Sequence, residues 1–258
     1  MAVLHTHLFG DPSGDPLLAV HGITAHGGRF RRLATEALPQ RRTVAPDLRG
    51  HGRSTPDGPW NVSQLVADLV DTSDAAGIGG PVDVVGHSYG GVIALALLAA
   101  HPDRVRRLVL LDPALLLAQA TAQEAAAAAI ADAGWGSVAE ALAARQASNA
   151  PEAADAVAAD LDEHLQLGAD GRYRLRCHGP AVVTGWGEMT APLPAKVVSR
   201  PTLLVAATGA PFVTPDVVAG LRGLLGDALE VVEIACGHML YWERFDETAA
   251  VVASFLPA

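Results

Sequence analysis

The sequence predicts an α/β protein with a mostly parallel central sheet flanked by helices. Short β-branched runs alternate with longer helical patterns along most of the chain, the mark of strands joined by crossover helices. Several of the runs are apolar throughout, as strands buried on both faces must be. The 258 residues are 50% apolar and 18% charged, which suits one large domain, or a core with an insertion, better than two independent domains.

Taken in order, residues 3–9 alternate and stop at the turn cluster Gly10-Asp-Pro-Ser-Gly-Asp-Pro16. Residues 17–20 form a short buried run ending at His21-Gly22, and residues 28–38 read as a helix. Residues 43–45 lead to Asp47, residues 62–76 have a helical period, and residues 82–85 lead to Gly86. A helix is expected over 91–101 and a strand over 105–111 that leads to Asp112. Late in the chain, strands are expected over 202–207 and 229–234, with helices over 217–225 and 243–255.

From Pro113 to Arg200 no clear buried strand is visible, whereas residues 123–133, 138–147 and 152–167 read as helices. Ser137-Val-Ala-Glu140 has the form of a capping box, and Pro151 suits a first helical turn. Residues 113–200 are therefore expected to be a helical insertion, with residues 1–112 and 201–258 forming the core. The insertion is predominantly acidic. Arg172-Tyr-Arg174-Leu-Arg176 alternates, as either a solvated edge ribbon or an anion contact would.

Composition excludes several functions. Lys+Arg 18 against Asp+Glu 28 gives a formal charge of −10, and the single lysine, Lys196, makes a nucleic-acid or anionic-membrane partner unexpected. No apolar run is long enough to span a bilayer, and the first residues lack a signal-like pattern. With two cysteines, Cys177 and Cys236, and no paired zinc spacing, the expectation is a reduced, cytoplasmic protein, a monomer or homodimer acting on a small molecule. His5 and His7 share a strand face, but no cysteine or carboxylate accompanies them locally, so no metal is expected there.

The chemistry centres on Val82-Asp-Val-Val-Gly86-His87-Ser88-Tyr89-Gly90-Gly91. A serine in G-x-S-x-G, after a strand and before a helix, sits on a strained turn that projects its hydroxyl from the sheet edge. The Tyr89 N–H then opens a helix, where donors lack partners and can face a developing oxyanion. A serine hydroxyl needs an adjacent base, a task suited to an imidazole.

With that motif in place, the sequence resembles the α/β-hydrolase superfamily over essentially its whole length. His21-Gly22-Ile23 resembles the family's oxyanion loop, which implies the Ile23 N–H as second oxyanion donor. Asp47-Leu-Arg-Gly-His51-Gly-Arg-Ser54 resembles its D-x-x-G-H-G-x-S turn, and Cys236-Gly237-His238 its late Gly-His. The resemblance implies a nucleophile elbow at Ser88, with His238 as its base, and a helical lid inserted after the family's sixth strand. Ala210 stands where the family usually places the acid of the triad. Asp112, in the alternative family position, Asp216 in a helix first turn, or no dedicated acid all remain open.

His26 is a candidate for substrate contact, and Trp135, Trp186 and Met189 are candidates to line an acyl pocket. His21, His51 and His87 are expected to pack and to brace loops. The leading expectation is a serine esterase-like hydrolase that cleaves a neutral or weakly polar ester, thioester, lactone or amide through an acyl-enzyme, with no metal or organic cofactor. The alternatives are C–C cleavage, lyase, cyclase or cofactor-free oxygen chemistry on the same fold, or a non-catalytic ligand-binding member.

Overall fold

The computed structural model describes residues 3–257. Seven strands form one sheet: β1 (Thr6–Gly10), β2 (Pro16–Val20), β3 (Arg42–Pro46), β4 (Val82–His87), β5 (Val105–Leu111), β8 (Thr202–Ala207) and β9 (Leu229–Ile234). Their order is β1-β3-β2-β4-β5-β8-β9, with β1 antiparallel to β3 and every other pair parallel. The strand before the insertion, the family's sixth by resemblance, is thus the fifth of this chain.

Side chains alternate between faces along each strand, so the two apolar layers can be read from the sequence. Leu18, Val20, Val84, Leu108, Leu110 and Leu204 join one cluster, packed on α1 (Val62–Ala75), α2 (Tyr89–Ala100) and α7 (Pro215–Leu225). Leu17, Ala19, Val85, Val109, Leu203 and Val205 join the other, with Phe30, Leu33, Tyr241, Trp242 and Val252. The latter side carries α8 (Leu240–Glu243) and α9 (Phe245–Phe255).

The single helix expected over 28–38 is two short turns, Gly27–Phe30 and Leu33–Ala37, the second closed by Leu38 N–H donating to Leu33 C=O at 3.1 Å. A Gly-Gly start with no side-chain cap nucleates a helix poorly. The break also turns Arg29 inward.

Between β5 and β8 lie α3 (Gln119–Ile130), α4 (Val138–Ala147), α5 (Ala154–His164) and α6 (Gly179–Glu188). A hairpin of β6 (Leu165–Leu167) and β7 (Tyr173–Leu175) interrupts them. The Ser137 side chain caps α4 by accepting from Glu140 N–H at 3.1 Å, as the capping box requires. Of the two readings of Arg172–Arg176, the ribbon is what forms: Arg174 pairs with Asp170 at 2.7 Å, and Arg172 donates to the Ala133 and Gly134 carbonyls.

The α6 helix escapes a propensity reading because three glycines and a proline fill its ten residues. Gly185 is there for close approach: a Cβ at this position would press on the Ile23 side chain and the Tyr89 ring.

The intervening segment is held to the sheet by a buried ion pair. Arg29 Nε donates to Asp160 Oδ1 at 2.7 Å and its terminal nitrogen to Oδ2 at 2.8 Å, while His26 Nε2 lies 3.0 Å from Oδ1. The guanidinium also sits 5.0 Å above the Trp242 ring. No helix among the described residues is long and apolar enough to cross a membrane.

Two predictions follow from these buried polar groups. Asp160→Ala would leave the buried Arg29 guanidinium without its carboxylate partner and should destabilise the fold by about 3–5 kcal/mol in urea titrations; a loss below about 1 kcal/mol would contradict a held ion pair. Burial keeps His21, His51, His87 and His164 neutral by lowering their pKa values, that of His51 to about 4. An unfolded chain would bind protons on these rings from pH about 6.5 downward. Stability should therefore be full above that pH and fall as pH drops toward 4. A flat urea midpoint across this window would contradict it.

Candidate active site

The elbow is built by contact. Ser88 joins β4 to α2 at φ +55° and ψ −120°, a conformation rare for any residue with a Cβ. Such strain persists only where the surroundings hold it. Ser88 N–H donates to Leu111 C=O at 3.0 Å, and its carbonyl accepts from Gly91 and Ala114 N–H at 2.9 and 3.2 Å. A Cβ on Gly90 would run into the Val20 and His21 carbonyls, so only glycine lets α2 start this close to β2. Ser88 itself is 4% exposed, and its hydroxyl caps no helix amide.

Positive φ recurs in this neighbourhood. Among the described residues, the other non-glycine cases are Thr24, Asp112 and Leu116. Thr24 follows Ile23, Asp112 immediately follows β5, and Leu116 lies a few residues beyond it.

Asp112 is wholly buried at the carboxyl end of β5, beside the elbow strand. Its N–H donates to Val205 C=O at 2.8 Å, and its Oδ1 accepts from Ala207 N–H at 3.1 Å. Oδ2 accepts from His238 Nδ1 at 2.6 Å. A carboxylate acceptor puts the proton on Nδ1 and leaves Nε2 with its lone pair free. The structure thus brings together Asp112 and His238. Asp216 is exposed in the first turn of α7, where Thr214 accepts the capping bond from Val217 N–H at 3.4 Å, and Ala210 bonds only through its backbone, to Ala207 C=O at 3.1 Å.

His238 is framed by His87, expected to pack and brace here, and by Glu243 and Phe212, which the sequence reading left unassigned. Glu243 accepts from the N–H groups on both sides of it, Gly237 at 2.6 Å and Met239 at 3.3 Å. Buried His87 places Nε2 3.0 Å from the His238 carbonyl, so this nitrogen is the donor and Nδ1 faces the Tyr241 hydroxyl at 3.5 Å. The His87 and Phe212 rings lie 4.7 and 4.3 Å from the His238 ring. Glu243 has a faint local signal, an acid five residues after His238; Phe212 has none.

His21, buried before Ile23, fixes the adjoining loop. Its Nδ1–H donates to Gly22 C=O at 2.7 Å and Nε2 accepts from Leu48 N–H at 2.8 Å, an arrangement only the neutral ring can make. Gly22 packs against the Ser88 side chain, which sets the Ile23 segment beside the elbow. Among the described residues, the Ile23 and Tyr89 N–H groups have no hydrogen-bond acceptor. No hydrogen bond links Ser88 Oγ to His238 either; catalytic contacts of this type commonly close only with substrate present.

Of the other predicted contacts, Trp186 and Met189 pack in the cluster that contains Ile23, Tyr89 and Leu115. Trp135 belongs to the opposite cluster and pairs its backbone with Tyr173, N–H to C=O at 2.8 Å. His26 is tied to Asp160 and stacks 4.7 Å from His164. The cavities of about 440 and 200 Å³ that His26 lines include neither Ser88 nor His238. Sequence could not foresee this, because Asp160 lies 134 residues from His26.

The model of the alpha/beta hydrolase fold family matches residues 15–245. The chain is 39% identical to "Lipase LipV" of Mycobacterium tuberculosis over 98% of this chain and 97% of that protein. It is 26% identical to "Esterase YbfF" of Escherichia coli over 95% and 94%. In structure it is similar to E-2-(acetamidomethylene)succinate hydrolase, with a TM-score of 0.87 and 23% identity, covering 99% of this chain and 95% of that one. Motif, sheet order, elbow geometry and sequence similarity converge: the chain belongs to the alpha/beta hydrolase fold family.

Proposed function

We propose that this protein is a serine hydrolase that cleaves neutral or weakly polar carboxylic esters through an acyl-enzyme, with thioesters, lactones and amides of the same polarity in its range. The observation that carries the reading is the His238–Asp112 hydrogen bond of 2.6 Å beside a strained strand-to-helix serine. The lipase and esterase names of its relatives support the class.

In this reading Ser88 Oγ attacks the acyl carbonyl while His238 Nε2 takes its proton, and Asp112 stabilises the imidazolium formed. The Ile23 and Tyr89 N–H groups receive the negative oxygen of the tetrahedral intermediate. His238 returns the proton to the departing alcohol, and water activated by the same nitrogen then releases the acid. Residues 113–200 act as a cap. Ile23, Tyr89, Leu115, Trp186 and Met189 carry no charge and pack in one apolar cluster, which favours an uncharged acyl group. Trp135 and His26 lie outside that cluster, Trp135 packed on the opposite one and His26 bonded to Asp160.

Three variants test the assignment on short and medium acyl esters. Ser88→Ala should abolish turnover while leaving the fold intact by circular dichroism. Asp112→Asn should lower kcat by about 10⁴, because an amide favours the wrong imidazole tautomer. Asp216→Asn should leave kcat within about twofold, since a helix-end carboxylate contributes only about 0.3–1 kcal/mol of stability. Full activity in Ser88→Ala, or a large loss in Asp216→Asn with a silent Asp112→Asn, would refute it.

A further inference from the structure

The motif left unused by the hydrolytic site is the pair His5 and His7. They share one face of the chain leading into and along β1, and the sequence offers no nearby carboxylate. The fold supplies one. The antiparallel β1–β3 pairing sets Thr6 opposite Pro46, and Asp47 N–H donates to His5 C=O at 2.8 Å. His5 Nδ1 or Nε2, a nitrogen of His7 and a carboxylate oxygen of Asp47 consequently lie within 4.8 Å of one another.

We propose that His5, His7 and Asp47 form a binding site for a divalent transition-metal ion of the zinc, cobalt or nickel type. Two imidazoles and one carboxylate suit these ions, whereas magnesium and calcium prefer oxygen donors alone. Metal–ligand bonds of about 2.0–2.2 Å place ligand atoms about 3.3–3.6 Å apart around a tetrahedral ion. His7 Nε2 stands 3.0 Å from Asp47 Oδ1, its N–H donating to the carboxylate; an incoming ion would displace this proton to solvent, the pair would open slightly and the His5 ring would close in.

Three features make this more than a chance grouping. The backbone is fixed: His5 N–H donates to Ser54 Oγ at 2.9 Å, and Ser54 Oγ–H donates to Asp47 C=O at 2.6 Å. The carboxylate is oriented from behind by Gly27 N–H on Oδ1 at 2.8 Å and Arg53 N–H on Oδ2 at 2.9 Å, the outer-shell pattern that steadies a ligating carboxylate. The three side chains also line an open cavity of about 200 Å³, shared with His26, Glu163 and His164, where water or a further donor could complete the coordination. Arg31, Arg53 and Arg176 also line this cavity; the Arg31 charge is met by Glu163 at 2.5 Å.

The test uses full-length protein without a histidine tag, extracted with chelator and titrated with Zn²⁺ by calorimetry at pH 7.5, with Co²⁺ followed by visible absorption. One equivalent should bind, and the d–d bands of bound Co²⁺ should report nitrogen and oxygen ligation. His5→Gln and His7→Gln should each weaken binding at least about tenfold while retaining the thermal midpoint of the metal-free protein. Zn²⁺ should raise the midpoint of the parent but not of the double variant, and Mg²⁺ should raise neither. Absence of stoichiometric binding, or equal affinity in the double variant, would overturn the proposal. The second result would assign the ion to other groups, such as Cys177 or Cys236.

Discussion

A buried carboxylate at the end of β5 joins three parts of the chain that are distant in sequence. One oxygen of Asp112 takes the Ala207 amide from β8 and the other takes the His238 ring, while its own N–H bonds to Val205. A carboxyl group at zero exposure is tolerable only when its polar atoms are hydrogen-bonded. The position of the His238 loop is therefore coupled to the integrity of the sheet edge. Glu243 and His87 tighten that loop from its other sides. The elbow supplies the matching half: Ser88 and Asp112 follow adjacent parallel strands, and both have positive φ.

The segment between β5 and β8 meets this edge at two places. At one, α6 lies against Ile23 and Tyr89, close enough that Gly185 has no room for a side chain. At the other, Asp160 of α5 anchors Arg29 and His26. The first contact sets α6 beside the loop and helix start that flank Ser88; the second is a buried polar anchor that depends on Asp160 remaining ionised.

Much of this was legible in the sequence, for definable reasons. Strands β5, β8 and β9 match their expected ranges because their apolar runs are bounded by clear turn signals. The Ser88 turn was legible because its loop carries a motif, whereas the acid stayed open between Asp112 and Asp216 until the fold placed Asp112 against His238. Other features were not. The α6 helix was hidden by glycines kept for packing, and the two short turns near Arg29 were hidden by a helical period that tertiary pairing overrides. His26 was assigned toward substrate because its partner Asp160 lies in a different element. Asp47 escaped notice as a partner of His5 and His7 for the same reason: antiparallel pairing, not spacing, brings them together.

A crystal structure of the protein after reaction with an alkyl fluorophosphonate tests the central claim most directly. The account predicts phosphorus bonded to Ser88 Oγ, with the phosphoryl oxygen about 2.7–3.1 Å from the Ile23 and Tyr89 nitrogens and His238 still on Asp112. An adduct on another residue, or a phosphoryl oxygen turned away from both amides, would contradict it.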